Sequence, residues 1–184
     1  GANRVLPLLD YDLIRGHPKI FMGYSDITGY LTSITQKTGL ITFHGPMLAS
    51  YKKGLVDYNF DIMENVLCGE PDLKIEPPGS LPVRILRSGT TVGPLWGGNM
   101  TLLINRLGTA GTVNTNGVIL FIEDLNEYLY AFERMLVHMR TAGMFEKIKG
   151  LIIGELDGFK DQDIPFDKDT DEIVLDICGD LDIP

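Results

Sequence analysis

The sequence predicts an α/β fold in three stretches: an N-terminal α/β segment over residues 1–50, a linker over 51–82 and a C-terminal α/β domain over 83–184. Three observations predict it. Strand–helix–strand patterns occur twice, over residues 19–43 and 118–153. Pro71, Pro77, Pro78, Gly79 and Pro82 cluster between them, where no long periodic segment can persist. The 184 residues, 44% hydrophobic and 22% charged, are enough for one sizeable core or two small ones.

Lys19 to Met22 is a short apolar stretch expected as a buried strand. Ile27, Tyr30, Leu31 and Ile34 then recur at i, i+3, i+4 and i+7, the stripe of an amphipathic helix that Gly39 stops. Leu40 to Phe43 returns to strand composition. Beyond the proline-rich linker, Val83 to Arg87 reads as the first strand of the second domain. Leu95-Trp96-Gly97-Gly98-Asn99 reads as a loop before a helix from Met100 to Leu107. Val118 to Ile122 is a strand, and Tyr128, Ala131, Phe132, Met135, Leu136 and Met139 mark a helix face. Leu151 to Ile153, between Gly150 and Gly154, is the last strand.

Charge narrows the function. The formal net charge is −9, and residues 155–184 alone carry eleven acids against Lys160 and Lys168, leaving residues 1–154 neutral. A broad basic face for nucleic acid is therefore not expected. The longest aliphatic and aromatic run, Val118 to Ile122, is far too short to cross a bilayer, and Gly1-Ala2-Asn3-Arg4 lacks a secretory layout. Neither a membrane nor an export signal is expected. Cys68 and Cys178 have no metal or disulfide spacing and are expected as buried free thiols of a reducing compartment. Asp167, Asp169 and Asp171 match the first positions of a calcium loop, but Glu172 and Cys178 stand where glycine and glutamate are needed. No metal and no cofactor is expected, and the acidic stretch reads as a solvated surface.

Four groups could carry chemistry. In Gly23-Tyr24-Ser25-Asp26 a strand turns directly into a helix, which lifts a serine out of the sheet as a nucleophile elbow does. Ile27 stands where the second glycine of that pattern belongs, and helix capping by Ser25 or Asp26 is the competing explanation. Glu123-Asp124 ends a strand, where open α/β sheets collect functional groups; a carboxylate there could orient a histidine, or cap the next helix alongside Glu127. Trp96, Gly97, Gly98 and Asn99 could wall and line a ligand site, or form a tight turn with a packed indole. The histidines are His17, His44 and His138, and the local sequence assigns none of them as base; His138 is expected as partly buried packing.

Taken together, these blocks resemble one family. Gly1-Ala2-Asn3-Arg4 through Asp10-Tyr11, Pro18 through Thr28, and Thr38 through Met47 look like the LD-carboxypeptidase family of serine peptidases. Leu95-Trp96-Gly97-Gly98-Asn99, Leu120-Phe121-Ile122-Glu123-Asp124 and Gly150 through Gly154 follow in the family's order. The resemblance implies a cytoplasmic enzyme of peptidoglycan recycling that releases terminal D-alanine from murein tetrapeptide by cleaving its LD bond. It implies Ser25 as nucleophile, the Asp26 backbone N–H as an oxyanion donor and Glu123 as the orienting carboxylate. A second oxyanion donor is expected at or just before Gly1, and the triad histidine beyond Pro184, so the chain is expected to be an internal fragment with residues 1–50 from a nucleophile domain. The family gives His44 no catalytic role. A homodimer with murein peptide as its partner is expected, with no nucleic acid and no membrane. Hydrolysis of microcin C-type peptidyl nucleotides is an alternative from the same family, and the short path from Trp96 to Glu123 favours the carboxypeptidase. Murein-peptide binding without catalysis is a third possibility.

Overall fold

A computed structural model describes residues 1–52, 54, 56–79 and 83–184. Short 3-10 turns at Ala2–Arg4 and Leu6–Leu8 lead into helix α1 (Tyr11–Gly16), which the Asp10 side chain caps through Leu13 N at 2.8 Å. Strand β1 (Met22–Gly23) runs through the 3-10 turn Ser25–Ile27 into helix α2 (Thr28–Thr38), and strand β2 (Phe43–His44) lies parallel to β1. Leu31 and Ile34 are buried as their spacing requires, and Gly39 ends α2 with φ of 77°. Both strands are shorter than expected and begin later, at Met22 and Phe43.

Helices α3 (Leu48–Tyr51) and α4 (Asp57–Cys68) follow. The twelve-residue α4 lies inside the expected linker: Phe60, Met63, Val66 and Leu67 carry helical spacing, but the expectation rested on the prolines that follow them. Cys68 at its end is exposed, contrary to expectation, whereas Cys178 is buried. The linker's expected end at Pro82 lies outside the described residues. Val83 to Arg87 is not a strand: it carries no ladder, and Val83 and Ile85 are exposed.

A second parallel sheet has the order β3–β4–β5, from β3 (Leu95–Asn99), β4 (Ile119–Leu125) and β5 (Gly150–Asp157). The expected loop at 95–99 is therefore strand. Its glycines conceal it in sequence: Gly97 and Gly98 have φ of 143° and 135°, and a Cβ on Gly97 would lie 1.7 Å from the Phe121 carbonyl oxygen. Helices α5 (Met100–Ile104), α6 (Leu129–Thr141) and α7 (Thr170–Cys178) pack on this sheet. Leu120 and Ile122 from β4, Met100 and Leu103 from α5, Phe132 and Leu136 from α6, and Ile173 and Ile177 from α7 form the core. Asp169 caps α7 in a reciprocal box with Glu172, so this part of the acidic stretch works as a helix start.

Candidate active site

Ser25 sits at the sharp strand-to-helix turn with φ of 58°, a left-handed conformation that costs a non-glycine residue energy. The local sequence makes the turn possible. A Cβ on buried Gly23 would fall 2.6 Å from Ile27 Cγ2, so Ile27 folds back onto a bare backbone instead of requiring a second glycine. The half-buried Ser25 makes no capping hydrogen bond. The Asp26 carboxylate does not cap either; it accepts the Ala2 N–H at 2.8 Å and lies beside Gly1. The Asp26 N–H belongs to the first turn, where backbone donors lack intrahelical acceptors.

The two carboxylates of β4 have different environments. Asp124 is 4% exposed and accepts four hydrogen bonds: Asn99 Nδ2 at 2.9 Å, Thr101 N at 2.9 Å, Thr101 Oγ1 at 2.8 Å and Leu125 N at 2.9 Å. Glu123 Oε1 is buried with no partner among the described residues. Burial raises the Glu123 pKa, the Asp124 charge raises it further, and the nearby Asn99 amide offsets part of the rise. Neither carboxylate caps α6, whose start at Tyr128 has no side-chain cap.

Register explains the placement of Glu123. Ile122 pairs with Ile153 but Asp124 pairs with Leu156, so Gly154 and Glu155 together oppose Glu123 in a bulge. A Cβ on Gly154 would lie 2.7 Å from Phe121 Cε2 and 3.2 Å from Glu123 Cβ. The bulge and the missing side chain give the glutamate room.

Asn99 and Thr28 tie the two regions together. Asn99 pairs with Glu123 in register, its side chain caps α5 through Leu102 N at 3.1 Å, and its backbone N–H donates to Thr28 Oγ1 at 3.0 Å. Thr28 is three residues beyond Ser25 and fully buried; it lies beside the apolar stripe of α2, and no pattern in the sequence signals its role. Trp96 is half-buried against the C-terminal core. His44 pairs with Gly23, and its ring meets Phe121 edge-on at 5.2 Å between centroids. Part of His44 reaches solvent, yet the protein around its ring lowers its pKa. His17 is exposed, and so is His138, which was expected to pack. Among the described residues no cluster of His, Cys, Asp or Glu is arranged to hold a metal, and no helix is long and apolar enough to cross a membrane.

The pattern of the LD-carboxypeptidase N-terminal domain matches residues 1–45, and that of the LD-carboxypeptidase C-terminal domain matches residues 92–184. A Bacillus subtilis protein named as a probable murein peptide carboxypeptidase is 38% identical over 167 residues, covering 83% of this chain and 48% of that protein. The Escherichia coli microcin C7 self-immunity protein MccF is 32% identical over 182 residues, covering 84% of this chain and 53% of that one. The crystal structure of a muramoyltetrapeptide carboxypeptidase from Oxalobacter formigenes superposes with a TM-score of 0.80 at 29% identity, covering all of this chain and 62% of that one. MccF in complex with glutamyl sulfamoyl guanosine gives 0.79 at 26% identity, covering 99% of this chain and 62% of the other. The chain spans about half the length of the curated relatives it matches.

Proposed function

The chain belongs to the LD-carboxypeptidase family of hydrolases, and from that premise we propose that it supplies the nucleophile and orienting carboxylate of a cytoplasmic serine carboxypeptidase of peptidoglycan recycling. The substrate is murein tetrapeptide, and the product is D-alanine. Ser25 attacks the carbonyl of the LD bond, the Asp26 N–H stabilises the oxyanion, and Glu123 orients and stabilises an imidazolium. Trp96, Gly97, Gly98 and Asn99 line the substrate side. The base is a histidine in the part of the family's length that this chain does not span, and His44 is the internal residue to test against it. The working form is a homodimer.

The observation that carries this reading is the contrast between Asp124, with four donors, and Glu123, with a buried oxygen left for an outside partner. An orienting carboxylate needs such unspent capacity. The likeness to MccF supports a second reading, hydrolysis of an acyl-sulfamoyl nucleotide. Offering murein tetrapeptide and an aminoacyl sulfamoyl adenosine to the complete protein separates the two. Release of D-alanine that Ser25→Ala lowers by ~10⁴-fold or more is expected. Nucleotide turnover without D-alanine selects the second reading, and neither product points to binding without catalysis.

A further inference from the structure

Arg106, just past α5, is 3% exposed and has no carboxylate partner among the described residues. Nη1 donates to the Gly29 carbonyl oxygen at 3.2 Å and to Thr32 Oγ1, and Nη2 donates to Ser33 Oγ at 2.7 Å. All three acceptors lie on α2. Nε is buried with no partner among the described residues. Gly111 packs against the guanidinium, because a Cβ there would stand 3.1 Å from Nε and Nη2. Burying an unpaired charge is costly, and an apolar side chain of similar volume would give more cohesion. What arginine adds is direction: a rigid fork of donors that fixes one helix against another.

The fork belongs to a longer polar seam. Thr28 accepts from Asn99 N at 3.0 Å, and Gln36 brackets the 112–114 loop, donating to Thr112 O and accepting from Asn114 N, each at 3.0 Å. Residues 28, 29, 32, 33 and 36 thus form one stripe of α2 that is hydrogen-bonded, not oily, where it meets the C-terminal half. At one end of this seam lies the Ser25 turn, which runs directly into α2. At that same end Thr28 holds Asn99, the cap of α5 and the register partner of Glu123, and Arg106 grips the stripe one to two turns further along.

We infer that Arg106 is a positioning residue, which holds the Ser25 turn at a fixed separation from Glu123 by clamping α2 to α5. The inference rests on the reading that Ser25 and Glu123 act in one site. Arg106 touches neither of them and acts through Gly29, Thr32 and Ser33.

The test uses the complete protein and the variants Arg106→Met, Arg106→Lys and the pair Thr32→Val with Ser33→Ala, which removes two acceptors if Arg106→Met does not fold. Turnover of murein tetrapeptide is measured per folded molecule. The clamp predicts that Arg106→Met lowers kcat by about 10- to 100-fold while KM moves by less than about threefold, the cost of a misplacement near 1 Å. Arg106→Lys recovers part of the rate, and the Thr32/Ser33 pair lowers kcat in the same way. Lower melting temperatures with kcat per folded molecule unchanged in the folded variants overturn the inference in favour of simple packing. A crystal structure of Arg106→Met, or of the Thr32/Ser33 pair, adds a readout that needs no substrate: the Ser25 turn shifts relative to Glu123 by ~1 Å. Superposable sites overturn the clamp. Full activity of Ser25→Ala, by contrast, sinks the proposed function, while a shifted turn would still support the clamp.

Discussion

Glu123 and Asp124 are neighbours on β4 but face opposite sides of it: Asp124 is turned into four donors, and Glu123 holds a buried Oε1 that has no partner among the described residues. Alternation along the strand makes this division, and the bulge opposite Glu123 sharpens it. One carboxylate spends its capacity on the fold, and the other keeps an oxygen with no partner among the described residues.

Glu123→Gln is expected to lower kcat with little change in KM, because an orienting carboxylate acts in the transition state. Its pH behaviour is independent of substrate. The folded protein raises this pKa above its ordinary value of 4.5, so the folded state holds the proton more tightly than the unfolded chain. Stability from this group is lost as pH rises from 4.5 through the raised value. Melting temperatures of the glutamine variant should decline less across that window, and matching slopes would count against a desolvated Glu123.

Asp124→Ala strands the Asn99 amide and the Thr101 donors in a buried place. A loss of about 3 kcal/mol is expected from urea denaturation. A change below about 0.5 kcal/mol would mean that water or a neighbour replaces the carboxylate.

Ser25→Gly is expected to stabilise the protein by about 1 kcal/mol, since glycine adopts φ of 58° without the Cβ clash, and to abolish turnover. Chemical denaturation and activity are measured on the same preparation. A destabilised glycine variant would indicate that the Ser25 side chain makes a contact in solution.

Gly154→Ala places a Cβ against the Phe121 ring and Glu123 Cβ. The expected result is a kcat reduced by about tenfold in a folded protein, as the glutamate is pushed off its position. Native kcat in this variant would remove the bulge from the site.

His44 gives an acid-side signature of opposite sense. Its folded pKa lies below the ordinary 6.5, so the unfolded chain binds the proton more readily, and stability is lost as pH falls through 6.5 towards the lowered value. His44→Leu should flatten the melting-temperature profile in that range, which differential scanning calorimetry at a series of pH values will reveal.

Periodicity made α2, β4 and α6 legible in the sequence, because Leu31 and Ile34, Leu120 and Ile122, and Phe132 and Leu136 face a core at the repeat of their element. The turn at Ser25 was legible for a related reason: strand and helix signals abut there with no loop between them. The strand at Leu95–Asn99 was not, since adjacent glycines signal a turn unless the close approach of Phe121 and Thr28 is known. Nor could the local pattern separate Glu123 from Asp124, which only the family resemblance told apart. That distinction depends on which face of β4 is covered and on a register shift in another strand. Thr28 and Arg106 escaped notice because their partners lie about 70 or more residues away in the chain.

The two bare positions on β3 constrain how this protein can drift in sequence. A side chain at Gly97 would meet the β4 backbone, and one at Gly98 would come within 2.6 Å of Thr28 Oγ1 on α2. The obstacles belong to different layers, so no single change elsewhere relieves both. A carbonyl oxygen cannot be mutated away at all, whereas Thr28 can shrink to serine only by keeping the oxygen that Asn99 needs. Lineages descending from this chain can therefore vary at exposed positions one at a time, while the contact between α2 and β3 changes, if at all, by several substitutions made together.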